Sequence, residues 1–191
     1  MSASSQLLER CLAGDPASIE AVFQTYRRPV FRLAYAALLD PAAAGNATQA
    51  GLNSVLGALR TGMTEEDFQR LLYQHVLRAC TRERQRSLLR RLLRLSPRPT
   101  ETAASLAPPP APPPAHPPPS RSDPQRRAAM WQAVCALPAE QRVALTLRCE
   151  FDLPVPAIAR ILRMGPGGVH ARLSAARRSI TQTLSVAESA R

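Results

Sequence analysis

The sequence holds few side chains of the types that carry out covalent chemistry or bind metal ions. His75 falls in an apolar pattern, His116 in a proline-rich stretch and His170 in a basic segment, so none forms a convincing pair with a nucleophile. No glycine-rich phosphate loop is present. The cysteines form no CxxC pair and have no histidine at metal-ligand spacing; they are Cys11, Cys80, Cys135 and Cys149. We therefore expect no enzymatic activity, no metal or other cofactor, and reduced, mostly buried cysteines.

Arginine is the residue whose number and position indicate a binding chemistry. The chain has 25 basic residues, all of them arginine, and 14 acidic ones, which gives a net charge of +11. Nine arginines and a single glutamate lie between Arg70 and Arg98, and no acid lies between Pro166 and Ala187. Guanidinium groups bind phosphates and can pair bidentately with guanine. The positive charge therefore predicts a polyanionic partner, with nucleic acid ahead of an anionic membrane surface.

Every regular segment of the sequence follows helical periodicity. Residues 19–26, for example, place Ile, Val, Phe and Tyr at i, i+3, i+4 and i+7. Aromatic residues make up only 4% of the chain, so its cores must consist of Leu, Ala and Val, a mixture that favours helices over sheets. Pro29 permits a break or kink. The sequence predicts an all-α fold, with helix starts at Asp15-Pro16, Asp40-Pro41, Thr64 and Asp123-Pro124.

A proline-rich stretch divides the chain. Residues 97–124 contain 12 of the 19 prolines, and Leu106 is their only large apolar side chain. Such a segment buries too little surface to offset the entropy lost on ordering, so an extended, disordered linker is expected. The sequence thus predicts two small helical domains, residues 1–96 and residues 125–191.

The chain has no segment that suits a membrane. No apolar run approaches the length needed to cross a bilayer. Residues 1–6 are polar and are followed by charged residues, unlike a signal peptide. We expect no membrane insertion and a cytoplasmic location.

Residues 153–178 have the pattern of a helix-turn-helix. Ile158 and Leu162 lie on a short apolar face, Met164-Gly165 gives a sharp turn, and Pro166 can open a second helix. Basic side chains lie outside the apolar stripe of that second helix, as expected of a helix that enters the major groove of DNA. On this pattern alone, an ordinary helical hairpin with a solvated basic face is an equal alternative.

Two segments resemble domains of the extracytoplasmic-function (ECF) sigma factors. Residues 6–60 resemble the sigma-two domain, first in LLERCLAGDPASIEAVFQTYRRPVFRLA and then at Asp40-Pro41, Ala44, Gln49 and Leu59. LPAEQRVALTLRCEFDLPVPAIARILRMGPGGVHARLSAARRSI, residues 137–180, resembles the sigma-four domain without a gap. Its matching positions are Leu137-Pro138, Gln141-Arg142, Leu147-Arg148, Ile158-Ala159, Leu162, Val169, Arg172-Leu173 and Ala176-Arg177. The order of the domains and the linker between them also match that family.

The resemblance implies a protein that acts by binding, without catalysis. In such factors the sigma-four helix-turn-helix reads the upstream promoter element and touches the polymerase. The sigma-two domain docks on the polymerase clamp and helps to open the downstream element. The implied partners are promoter DNA, the clamp and flap regions of core RNA polymerase, and an anti-sigma factor, in a cytoplasmic protein associated with the nucleoid.

The resemblance also implies which residues make these contacts. Upstream DNA would be faced by Arg163, Gly168, His170, Arg172, Arg177 and Arg178. The strand at the downstream element would lie near Arg78, Arg82, Arg84 and Arg86, whose one-sided charge suits phosphate contacts. The polymerase would be contacted by Asp40, Gln49, Leu52, Val55 and Leu56.

Several positions depart from the family pattern. Gly45 and Asn46 occupy the places of an acidic pair that meets basic residues of the clamp. Leu71 and Arg78 stand where the family has Trp and Asn in its promoter-opening segment, and Gly168 stands where it has Thr. These departures leave an alternative function open. In that alternative, the chain is a degenerate sigma-like regulator that binds DNA or a protein partner without productive docking on core polymerase.

Overall fold

The computed structural model of the protein describes residues 3–93 and 124–189. These residues form eight α-helices and no strand, which confirms the predicted all-α fold. The predicted linker, residues 97–124, lies outside the described residues except for Pro124. The helices are α1 (Ala3–Leu12), α2 (Pro16–Leu38), α3 (Pro41–Leu56), α4 (Glu65–Leu92), α5 (Pro124–Ala136), α6 (Ala139–Cys149), α7 (Val155–Leu162) and α8 (Pro166–Ser189).

The helices form two compact units. One is built on α1 to α4, and the other on α5, α6 and α8 with the first part of α7. None of the described helices is both long enough and apolar enough to cross a membrane.

The first unit is held together by the packing of α2, α3 and α4 against one another. The aromatic ring of Tyr26 meets that of Phe68 edge-on, with 5.2 Å between the ring centroids. Burial of each large apolar side chain stabilises the fold by about 1.5–3 kcal/mol. The largest fully buried side chains of this core are Val22, Val30, Leu33, Leu52, Val55, Phe68, Leu72 and Val76.

Three of the predicted helix starts are present as N-caps. The Asp15 carboxylate accepts hydrogen bonds from the backbone N–H of Ala17 and from the Ser18 hydroxyl, at 3.3 and 2.5 Å. Asp40 accepts one from the backbone N–H of Ala43 at 3.0 Å. At the start of α4, the backbone N–H of Asp67 donates to the Thr64 hydroxyl at 3.2 Å. These side chains satisfy backbone N–H groups that the first turn of a helix leaves without partners.

Pro29 does not end a helix: of the break or kink that the sequence permits there, the break does not occur. Helix α2 runs without interruption from Pro16 to Leu38 and contains Pro29 in its interior. A proline removes one hydrogen bond inside a helix. Here Val22 lies buried before the proline, and Val30 and Leu33 lie buried after it, so both halves of the helix pack into one core.

In the second unit, α8 packs against both α5 and α6. The buried Arg142 side chain joins α5 to α6, because it donates to the backbone carbonyl oxygens of Cys135 and Leu137. These bonds satisfy carbonyl groups at the end of α5 that have no partner within the helix. The apolar core around them is made mostly of Ala133, Leu137, Val143, Ala144, Leu147, Ile158, Val169 and Ala176.

Candidate nucleic-acid interface

Helices α7 and α8 are joined by the tight turn that the sequence predicts. Arg163 follows α7 in the left-handed conformation, with φ of 54°, and its backbone N–H donates to the carbonyl of Ala159. The backbone N–H of Met164 donates to the same carbonyl at 3.1 Å. Pro166 then opens α8. A left-handed residue that closes one helix allows the chain to start another within three residues, which is the geometry of a helix-turn-helix.

The outer side of α8 carries positive charge. His170, Arg177 and Arg178 are exposed on this helix, and Arg163 is exposed in the turn before it. The sequence has no acid from Pro166 to Ala187. This surface can attract phosphates without local repulsion.

Gly168 affects the packing of the turn between α7 and α8 through its lack of a side chain. A Cβ atom at this position would overlap the terminal methyl group of Met164. Gly168 therefore lets the Met164 side chain lie against the first turn of α8. The threonine that the family pattern has at this position would displace that side chain.

Arg172 is placed differently from the other arginines of the interface. Its Nη2 atom lies 2.6 Å from Oε2 of Glu140 in the first turn of α6, and 30% of its side chain is exposed. It also lies on the same face of α8 as Val169 and Ala176, which are fully buried. The interpretation that Arg172 lies outside the apolar stripe does not match this placement.

Sequence reasoning did not single out Glu140 as a residue of the interface. In the sequence, Glu140 is recognisable only as an acid in the first turn of a helix. Acids are common at this position because they interact favourably with the helix dipole. That position on α6 gives no indication of which side chain of α8 lies opposite. Only the packing of α6 against α8 brings Glu140 and Arg172 together.

The arginines of α4 are a second group of exposed basic side chains. Arg78, Arg82 and Arg84 are exposed on this 28-residue helix. Arg86 is exposed as well and forms an ion pair of 2.7 Å with Glu83. The four residues expected at the downstream promoter element thus lie on one helix with their side chains accessible.

The residues expected to contact polymerase are not brought together on one surface. Leu52 and Val55 are buried in the first unit, which corrects the expectation that they meet a partner directly. The helical stripe that they form faces the core, and Leu56 is half-buried at its edge. Gln49 is exposed. Asp40 is exposed and caps α3.

The described residues provide no candidate metal site, since they contain no group of three or more His, Cys, Asp or Glu side chains that could hold an ion. The Nδ1 atom of His75 lies 2.7 Å from the Ser54 hydroxyl, so this histidine has a polar partner on α3. All four cysteines are free.

Comparison with known proteins identifies the fold and the second domain. Residues 127–180 match the family model of sigma-70, region 4. No curated protein matches the chain. A similar solved structure is that of CnrH in complex with the cytosolic domain of CnrY, with a TM-score of 0.63 and 14% identity over 97% of this chain and 99% of that chain. CnrH is an ECF sigma factor, and the resemblance of this chain to such factors is confirmed. Residues 127–180 therefore form a sigma-70 region 4 domain, and the fold of the chain is similar to that of the CnrH structure.

Proposed function

We propose that the chain is an ECF-type sigma factor, which directs bacterial RNA polymerase to promoters and initiates transcription by binding DNA and the core enzyme. The observation that carries this proposal is the helix-turn-helix of α7 and α8. Its second helix has exposed basic side chains and no acid from Pro166 to Ala187, and the part of this helix up to residue 180 lies within the residues that match sigma-70, region 4. A helix of this kind suits the major groove of duplex DNA.

The proposal assigns a role to each part of the chain. Residues 125–191 bind the upstream promoter element through α8, and residues 97–124 link the two domains. Residues 1–96 dock on the polymerase and place the α4 arginines at the downstream element. CnrH was solved with the cytosolic domain of another protein, so a regulatory protein that binds this chain, of the anti-sigma type, is part of the proposal.

The test is to mix the full chain with bacterial core RNA polymerase and isolate any complex by gel filtration. Duplexes that the complex retains from a pool of genomic fragments are then sequenced. We expect the chain to elute with the polymerase and the retained duplexes to share a sequence motif. A chain that elutes separately, in a mixture that retains no motif, would contradict the proposal.

A second candidate function is a sigma-like regulator that binds DNA without productive docking on the polymerase. The observation that favours it is the composition of α3, residues 41–56, which contains no charged side chain. Gly45 is half-buried and Asn46 is exposed where the family pattern has an acidic pair. In the same experiment, this candidate predicts that the chain alone retains the motif and that the polymerase elutes without it.

A further inference from the structure

Arg172 lies between two buried residues on one face of α8. Val169 precedes it by three positions and Ala176 follows it by four, and both side chains have no exposed surface. Residues at these spacings lie on the same side of a helix. Arg172 therefore points toward α6, whereas His170 and Arg177 are exposed. Its guanidinium group meets Glu140 there, at 2.6 Å.

We infer that Arg172 is a positioning residue, which holds α8 on α6 through its ion pair with Glu140 and does not itself read bases. This inference rests on the proposed function and deepens it. Val169 and Ala176, which flank Arg172 on this face of α8, are small side chains, and each contributes little apolar area to the contact with α6. An ion pair placed between them restricts rotation of the helix and so fixes where His170 and Arg177 project.

The ion pair between Arg172 and Glu140 also reduces the repulsion between the Glu140 carboxylate and DNA phosphates. A lone Glu140 carboxylate near the interface would repel phosphates, since like charges oppose one another over short distances. In the ion pair with Arg172, the negative charge of this carboxylate is compensated by the positive charge of the guanidinium group. Freeing Arg172 to contact a base would leave Glu140 without its partner. Both residues should therefore strengthen DNA binding, although one of them is acidic.

Four variants of the full chain separate positioning from base reading. They are Glu140→Gln, Arg172→Gln, the two combined, and the reversed pair Glu140→Arg with Arg172→Glu. An exposed or half-buried ion pair contributes up to about 1 kcal/mol, so each single variant should bind DNA about fivefold more weakly. The combined variant should bind no more weakly than either single variant. The reversed pair should recover most of the affinity, because the two charges still attract each other.

Asp152→Asn is the matched control for the loss of an acid. Asp152 is exposed in the same unit, and its nearest basic partner, Arg148, lies 3.8 Å away. The Asp152→Asn substitution changes the net charge by the same amount as Glu140→Gln. It removes no contact with α8. Binding by this control should be equal to, or slightly tighter than, that of the wild-type chain. Circular dichroism of every variant checks that the helices are retained.

The measurement is fluorescence anisotropy, made with core RNA polymerase present, with a duplex that the wild-type chain and polymerase together select from a random-sequence pool. The result that supports the inference is weaker binding by both single variants, no further loss in the combined variant, and recovery in the reversed pair. The inference is overturned if Glu140→Gln binds as tightly as Asp152→Asn. It is also overturned if the reversed pair binds worst, since base reading by residue 172 predicts that outcome. A wild-type chain that selects no duplex overturns the proposed DNA role itself, and the positioning role with it.

Discussion

Burial divides the cysteine side chains into accessible and inaccessible thiols. Only 2% of Cys80 is exposed, and desolvation by burial raises the pKa of its thiol to about 12. Cys11 is also buried, and burial raises its thiol pKa. Cys149 is exposed. The thiolate is the form of cysteine that reacts. At Cys80 and Cys11, burial and the raised pKa therefore both lower the reactivity of the thiol.

We predict that iodoacetamide at neutral pH alkylates Cys149 first and leaves Cys80 and Cys11 largely unmodified in the folded chain. Mass spectrometry of peptides, sampled over time, measures the rate at each site. All four cysteines should react at similar rates once the chain is unfolded in guanidinium chloride. Alkylation of Cys80 as fast as Cys149 in the folded chain would show that Cys80 is not buried.

Sequence patterns predicted some side-chain positions and missed others. Val169 and Ala176 share one face of α8 by their spacing, and both are buried. Met130 and Trp131 lie in an apolar stripe of α5, yet both are exposed, whereas Ala133 on the same helix is buried. Periodicity shows which residues share a face of one helix. It does not show which neighbouring helix covers that face, and this depends on contacts distant in the sequence.

At the scale of the elements, local chemistry was the more reliable guide. The N-caps at Asp15, Asp40 and Thr64 and the turn before Pro166 lie where the sequence predicts them. These features depend on residues within one helical turn. The continuity of α2 through Pro29 depends on packing against α3 and α4, so the local sequence could not predict it.

The crossing of α3 and α4 requires a residue without a side chain at position 51. A Cβ atom there would lie 2.5 Å from Cγ2 of Val76 and 2.9 Å from its Cα atom. Because the second contact is with backbone, it can be relieved only by moving one helix away from the other. Helix propensity alone ranks Gly51 as a weakness of α3, whereas the packing makes it necessary for close approach.

We predict that Gly51→Ala destabilises the first unit. Overpacking costs about 1–3 kcal/mol, which exceeds the gain of about 0.5–1 kcal/mol from better helix propensity. Gly57→Ala is the matched control, since its Cβ would meet only the Ser54 carbonyl oxygen, at 3.9 Å. Urea unfolding should show a lower free energy of unfolding for Gly51→Ala and an unchanged or higher one for Gly57→Ala. Equal stability of the two variants would contradict the close crossing.

At the scale of the whole molecule, the sequence alone indicates an all-α chain and its similarity to ECF sigma factors. The division at residues 97–124 remains a prediction from composition, because those residues lie almost entirely outside the described part of the chain. The sequence could not show that Leu52 and Val55 are buried or that Arg172 is paired, since both facts arise when separate helices meet.

The uncharged surface of α3 leads to a prediction about docking on the polymerase. If the polymerase presents basic groups there, Gly45→Glu with Asn46→Asp should strengthen binding, because each charge-assisted contact contributes about 1.5–3 kcal/mol. The gain should shrink as salt is added. Titration of core polymerase with wild type and the double variant at two salt concentrations measures both effects. Tight binding by the wild type with no gain in the variant would show that docking does not depend on charge at these positions.

The most direct test of the central claim is transcription by core RNA polymerase supplemented with the full chain, on duplexes that carry the selected motif. Arg177→Glu with Arg178→Glu reverses the exposed charge of α8, and Arg27→Glu with Arg28→Glu makes the same change in net charge at an exposed site on α2. The account predicts transcripts with a defined start from the wild type and the α2 variant. It predicts none from the α8 variant, which should still elute with the polymerase. Absence of defined transcripts with the wild type, or equal activity of the α8 variant, would contradict the account.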